Sequence, residues 1–301
     1  MQLKYSFKKE WSHFTRTGRL FGIIAAIFSF ALSQPLMFRL MGAMMEMVDL
    51  NTGGGTDSSI FAAVLGGMTA SAGTDPFGGM NIGMDEIMSV YSDAGMIFTT
   101  CISTFSGLSL LIVMLILMAA SGGEQKKRAM IVPMCSGLEY KNYLIPKFII
   151  YPLFTFAMTF ISVVVTGYLC NALFPNNRLT DVMIFLTSAM YSVYMLFAVC
   201  VYMSIGLCTS RPGVAAVLVF IGQSLLQSLF LGMGLTDYNP FTLITLPSYM
   251  TMEDFDLAAS MPSILVGAGI SVIVAVLMFF LALGVLGAKK IDNTEEERPE
   301  F

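Results

Sequence analysis

Few side chains in this sequence could take part in acid–base or metal chemistry, and they are scattered. His13 is the single histidine. Asp85 and Glu86 are adjacent, but no His or Cys lies near them, and a solvated turn explains such a pair better than metal binding. The five cysteines form no Cys-x-x-Cys pair, the usual spacing of metal and redox sites. We therefore predict no catalytic, cofactor-binding or metal site in this chain, and no enzyme activity.

Two amide side chains share a regular spacing within apolar sequence. Gln223 and Gln227 lie four residues apart and would occupy one face of a helix. They could line a substrate path, or they could hydrogen-bond a neighbouring helix, which is the commoner role of such groups in membranes. The sequence leaves both interpretations open.

The elements that must position these groups are long apolar segments. Apolar residues make up 56% of the chain and charged residues 12%, a composition far from that of soluble domains. Six segments without Asp, Glu, Lys or Arg are long enough to cross a bilayer, since a spanning helix needs about 20 apolar residues. The sequence predicts an all-α integral membrane protein with a single membrane domain over 1–301 and six transmembrane helices. We place the spans at 20–38, 94–120, 148–174, 182–210, 212–236 and 262–288.

Positive charge sets the predicted orientation. With a cytoplasmic N-terminus, 14 of the 16 Lys and Arg residues lie inside, and only Arg39 and Arg178 lie outside. Because Lys and Arg favour cytoplasmic loops, we predict cytoplasmic N and C termini, a cytoplasmic loop over 121–147, a cytoplasmic tail over 289–301 and an extracytoplasmic loop over 39–93. The expected location is the cell membrane, with multiple passes. No basic surface is left over for nucleic acid.

The N-terminal segment 1–19 has the pattern of an amphipathic helix. Phe7, Trp11 and Phe14 follow at spacings of four and three, and cations lie elsewhere around the helix. Such a helix lies in the membrane interface with its rings toward lipid. We predict an N-terminal amphipathic interfacial helix that contacts membrane lipids and could also dock a cytoplasmic partner.

The loop 121–147 is longer than a simple connection requires, and it has a helical pattern of its own. Leu138, Tyr140, Tyr143 and Leu144 could form one apolar side, while Glu139, Lys141 and Asn142 stay polar. Pro133 and Pro146 would bound this short helix, because proline removes a backbone donor and disfavours helix continuation.

These features resemble the permease subunit of type-2 ABC transporters, whose membrane and ATPase parts are often separate chains. The resemblance lies in Glu124 followed by the basic run 126–128, in the segment 137–143, in the Lys147-Phe148 pair, and in Lys9-Glu10 followed by Arg16. It implies an elbow helix that includes Lys9, Glu10, Trp11 and Arg16. It also implies an ATPase-coupling element that comprises Glu124, Gly137, Leu138, Glu139, Tyr140, Lys141 and Tyr143. The segment 238–241 and the residues after it resemble the short outer helices of that family.

The resemblance implies a bacterial, ATP-driven exporter of an amphipathic or apolar substrate such as a peptide, a lipid-like compound or a drug. No Gly is followed by Lys in this chain, so the phosphate-binding loop of an ATPase is lacking. ATP and Mg²⁺ would be bound by cytoplasmic ABC ATPase subunits, and the permease would pair with a second copy or a paralogue. Two alternatives stay open: a non-transporting sensor or scaffold that binds a cytoplasmic partner, and an ion-coupled secondary transporter.

Overall fold

The structure, a computed structural model, is all-helical in its described part, with six helices long and apolar enough to cross a membrane. It describes residues 2–52, 92–126, 139–209, 211–235, 237–248, 250 and 255–296. Within these ranges the strand-like pairing is confined to one isolated bridge between Asp93 and Asn176. The predicted all-α class and the six candidate spans are thereby confirmed. Most of the loop 39–93 and the segment 127–138 lie outside the described residues.

Each predicted span overlaps a helix, and several helices extend beyond the predicted bounds, that of the first span as far as Thr52. A short helix α1 (Gln2–Arg16) precedes the candidate spans. The first span lies in α2 (Arg19–Thr52), and the second runs through α3 (Ala94–Thr104), a π-helical turn at Phe105–Ser109 and α4 (Leu110–Lys126). The remaining helices are α5 (Tyr140–Leu173), α6 (Asp181–Cys208), α7 (Pro212–Gly232), the short α8 (Thr242–Thr245) and α9 (Leu257–Glu296).

Helix α5 differs from the prediction at its start. Pro146 does not end a separate short helix, because one continuous helix runs from Tyr140 through Pro146 and Pro152. Tyr143 and Leu144 are buried just before the proline, and Lys147 is buried just after it. Packing on both sides therefore holds the helix together across the missing backbone donor, as neighbouring helices often allow in membrane proteins.

Helix α6 forms the centre of the bundle and α7 lies at its edge. In the most apolar part of each span, 61% of the α6 residues are buried but only 11% of the α7 residues. The close contact of α5 with α6 depends on Gly167, where an added Cβ would lie 2.9 Å from side-chain atoms of Ile184. Helices α5 and α6 thus form a tightly packed pair within the bundle.

Polar contacts fix one end of this pair. The amide of Asn171 donates to the carbonyl of Leu179 and accepts from its N–H, at 2.9 Å in both directions, which closes the loop from α5 to α6. In the same loop Asn177 donates to the carboxylate of Asp93, which also caps α3 through the N–H of Met96. These contacts lie at the C-terminal end of α5, and the candidate site lies at its N-terminal end.

Candidate coupling site at the start of the third span

Helix α1 docks on α5 through aromatic packing. Phe14 has no exposed surface, and its ring lies edge-on to Tyr151 and Phe154 at centroid distances of 4.9 and 5.0 Å. Relative to exposure to water, burial of one phenylalanine contributes about 1.5–3 kcal/mol, and edge-to-face pairs add to it. The predicted placement of all three α1 rings toward lipid is therefore wrong for Phe14, because α5 offers an aromatic surface that covers it.

The polar centre of the contact is an ion pair between the two helices. The Lys147 ammonium lies 3.7 Å from Oε1 of Glu10, and the two side chains are 1% and 10% exposed. Glu10 is positioned by the same face of α1 as Phe14, since the two lie four residues apart. The acidic residue of α1 thus reaches the start of α5 beside the buried ring.

Further side chains extend this ion pair into a network. The hydroxyl of Tyr151 donates to Oε1 of Glu10 at 3.3 Å and accepts from Nη1 of Arg19 at 3.1 Å. Nη1 of Arg19 also lies 3.4 Å from Nδ1 of His13. Lys147 further lies 4.6 Å from the centre of the Tyr143 ring, a distance that allows a cation–π interaction. We call Glu10, His13, Arg19, Lys147 and Tyr151 the elbow cluster.

The charges of the elbow cluster compensate one another. Removing an ion from water costs several kcal/mol, and a buried pair persists only where charge and hydrogen bonds offset that cost. Lys147 has the Glu10 carboxylate and the Tyr143 ring, and Glu10 has the Tyr151 hydroxyl as well. Because Glu10 lies on α1 and Lys147 on α5, separating the two helices would break this ion pair.

The predicted elbow residues take different places in this joint. Glu10 lies at its centre, whereas Lys9, Trp11 and Arg16 are exposed. The turn after α1 is made at Gly18, whose φ of +71° is the left-handed conformation that favours glycine. Arg19 then opens α2, so that α1, α2 and α5 all contribute to the elbow cluster.

The predicted coupling residues fall at the same end of the bundle only in part. Glu139 precedes α5 and is exposed, Lys141 is exposed, and Tyr143 is buried against Lys147. Tyr140 is the first residue of α5 and Glu124 belongs to α4, but their side chains are not described. Gly137 and Leu138 lie outside the described residues.

Sequence reasoning missed the pairing of Glu10 with Lys147 and the part played by Tyr151. A signal was present, because Tyr143, Lys147 and Tyr151 follow at spacings of four on α5 and therefore share one face. The relative placement of α1 and α5 could not be predicted from the sequence, because it depends on packing between distant segments.

The two glutamines predicted as a possible substrate path lie on α7. The Gln223 amide donates to the hydroxyl of Tyr194, and its oxygen accepts from the hydroxyl of Tyr202 at 3.2 Å. Both tyrosines belong to α6, so Gln223 joins the edge helix to the centre of the bundle. Gln227 lies one turn further along and is half-buried. Gln223 thus makes hydrogen bonds between α7 and α6. A part in a substrate path stays a prediction for both glutamines.

Comparison with known proteins identifies no family for this chain. No protein-family model, no curated protein and no solved structure matches it. A function for the chain must therefore be argued from the elbow cluster and the architecture around it.

Proposed function

We propose that this chain is the membrane-spanning permease subunit of an ATP-driven exporter of the ABC class, powered by separate ATPase subunits. The observation that carries the proposal is the buried Glu10–Lys147 pair, which ties the amphipathic helix α1 to the first turns of α5. The sequence resemblance implies an ATPase-coupling element whose residues 137–143 include the first residues of α5. In such a permease, a contact of this kind would couple movement of the ATPase subunits to the membrane-spanning helices.

The elbow cluster would pass movement of α5 on to α1 and α2. A partner that pushes on the chain just before Glu139 displaces the start of α5, and the buried ion pair obliges α1 to follow. Because Arg19 hydrogen-bonds Tyr151, the beginning of α2 moves with them. ATP-driven closure of the ATPases would in this way switch the path between two permease copies from inward to outward access.

Exposed charge around the joint suits a cytoplasmic location. Lys8, Lys9 and Arg16 on α1 and Lys141 on α5 are exposed at this end of the bundle. The preference of cations for cytoplasmic loops supports an orientation with the elbow cluster at the cytoplasmic surface. Glu139, which is exposed and makes no capping hydrogen bond with its side chain, is available to a docking partner.

The proposed cargo is amphipathic or apolar, and a second permease copy or a paralogue would complete its path. The charge-free runs of the six spans suit a cargo without charge. Twofold pairing is the usual symmetry of such membrane assemblies.

A second candidate function is ion-coupled transport, and one observation favours it. A row of hydroxyl side chains continues the face of Lys147 and Tyr151 along α5, all of them 5% exposed or less: Thr155, Thr159, Ser162 and Thr166. The hydroxyls of Thr159 and Ser162 are buried without a hydrogen-bond partner among the described residues. Unpartnered buried hydroxyls are uncommon, and two of them in one polar row on α5 favour a polar ligand such as an ion there.

The test is co-purification from native membranes. Tagged wild-type protein is extracted in mild detergent, and bound polypeptides are identified by mass spectrometry beside a Glu139→Arg, Tyr140→Ala double variant and a Lys4→Gln control. The proposal predicts an ABC ATPase with the wild type and the control and its loss with the double variant. Recovery of no ATPase with any of the three would contradict the permease assignment and favour the ion-coupled or scaffold alternatives.

A further inference from the structure

An apolar groove runs along the outside of the bundle next to the elbow cluster. Helices α5, α6 and α9 enclose about 440 Å³ between them, a volume typical of small-molecule sites, which span about 300–1,000 Å³. Its lining includes Ile145, Ile149, Leu153, Cys200, Val272 and Val276. Between 45% and 60% of Ile149, Leu153, Val272 and Val276 is exposed, so the groove opens sideways to whatever surrounds the bundle.

A cation on α5 precedes the groove, outside the residues that line it. Lys141 is exposed and lies one and two helical turns before Ile145 and Ile149, so these three residues share a face of α5. From Ile145 to Leu153 the groove follows α5 for about 12 Å at the usual rise of 1.5 Å per residue. Glu139 precedes the first residue of α5 in extended backbone, so it does not belong to the helical face that Lys141 shares with Ile145 and Ile149.

The apolar groove and the nearby Lys141 match the two parts of an anionic phospholipid. A hydrocarbon chain suits a dry groove that opens sideways along a helix, and a phosphate suits a cation at the end of that helix. Zwitterionic headgroups carry their own compensating charge, whereas a lysine near an anionic lipid surface contributes about 1 kcal/mol. The charge of Lys141 would therefore favour anionic over zwitterionic lipids, whereas the apolar groove alone would not distinguish them.

We propose that the groove between α5, α6 and α9 binds an anionic phospholipid, with the lipid phosphate at Lys141 and one acyl chain along Ile145, Ile149 and Leu153. A lipid held there contacts the helix that carries Lys147, so its presence would stabilise the start of α5 against the movement of the elbow cluster. Lipid binding rests on the groove and on Lys141 alone, whereas its effect on the movement of the elbow cluster rests on the proposed function.

The test is native mass spectrometry of the purified full-length chain with phosphatidylglycerol and phosphatidylcholine of matched acyl chains. Other cations in the chain also attract anionic lipid, so the readout is the change that each variant causes. We expect Lys141→Gln to lower the preference for phosphatidylglycerol about fivefold, equivalent to about 1 kcal/mol. The control Lys4→Gln, which removes an exposed cation of α1, should change it little.

A second pair of variants tests the groove itself. Val276→Phe places an aromatic ring in the groove and should lower retention of both lipids, whereas Ile273→Phe, on an exposed part of α9 outside the lining, should not. Equal effects of Lys141→Gln and Lys4→Gln on headgroup preference would overturn the proposal. Equal effects of the two phenylalanine variants would overturn it as well, since the lipid would then lie elsewhere.

Discussion

The Glu10–Lys147 pair offers the sharpest energetic prediction, because the two side chains compensate each other in a buried place. Replacing Lys147 by Met leaves the Glu10 carboxylate only 10% exposed and without its cation. Breaking a buried pair from one side costs about 3–5 kcal/mol, and the slight exposure of Glu10 favours the lower end. We expect Lys147→Met and Glu10→Met each to lower the free energy of unfolding by about 3 kcal/mol.

The double variant distinguishes an ion pair from two independent packing effects. If the effects were independent, Glu10→Met with Lys147→Met would cost about 6 kcal/mol, the sum of the single costs. Because the double variant leaves no buried ion, we expect a cost below about 2 kcal/mol, part of it from the lost acceptor of Tyr151.

Reversible unfolding in mixed micelles by sodium dodecyl sulfate measures all three variants. Lys9→Met, an exposed neighbour on α1, serves as the control and should stay within about 0.5 kcal/mol of wild type. Additivity of the single costs within about 0.5 kcal/mol would refute the reasoning.

Three further predictions follow from the packing of the bundle, and the same unfolding titration measures each. Phe14→Ala should cost about 3–5 kcal/mol, because the ring is fully buried against α5; a cost below about 1 kcal/mol would show that α1 is not docked. Gly167→Ala should cost about 1–3 kcal/mol through its contact with Ile184, and adding Ile184→Val should recover part of the loss; no recovery would place the clash elsewhere. Gln223→Leu should cost about 0.6–1.7 kcal/mol, from the average to the largest value for interhelical hydrogen bonds in a membrane protein, and more than Gln227→Leu; the reverse order would argue against the tyrosine contacts.

The spans could be predicted from the sequence because bilayer thickness fixes the length of an apolar helix. Charge-free runs therefore marked all six candidate helices, whereas the charged residues at their ends did not mark where helices begin. Helix α5 begins at Tyr140, eight residues before the predicted span at Phe148, because a helix continues past the apolar boundary wherever packing covers it. Pro146 was misleading for the same reason, since local preference yields to the contacts of Leu144 and Lys147.

The candidate site could be predicted only in part. The spacing of Phe7 and Phe14 indicated an amphipathic helix, and the resemblance directed attention to Glu10 and Lys147 separately. Their pairing joins residues 137 positions apart in the chain, and no local pattern encodes which faces of two distant helices meet. The same limit explains why the hydrogen bonds of Gln223 to two tyrosines of α6 emerged from the structure, although its helical face was evident from sequence.

The most direct test of the central claim is a site-specific cross-link from the start of α5 in native inverted membrane vesicles. A photoactivatable amino acid replaces Glu139 in one sample and the exposed Lys4 of α1 in a control sample, and the cross-linked polypeptide is identified by mass spectrometry. The account predicts that position 139 captures a polypeptide with a nucleotide-binding loop, at a yield that changes when ATP and vanadate are added. Capture of a polypeptide without such a loop, or a yield at position 139 that does not respond to nucleotide, would contradict it.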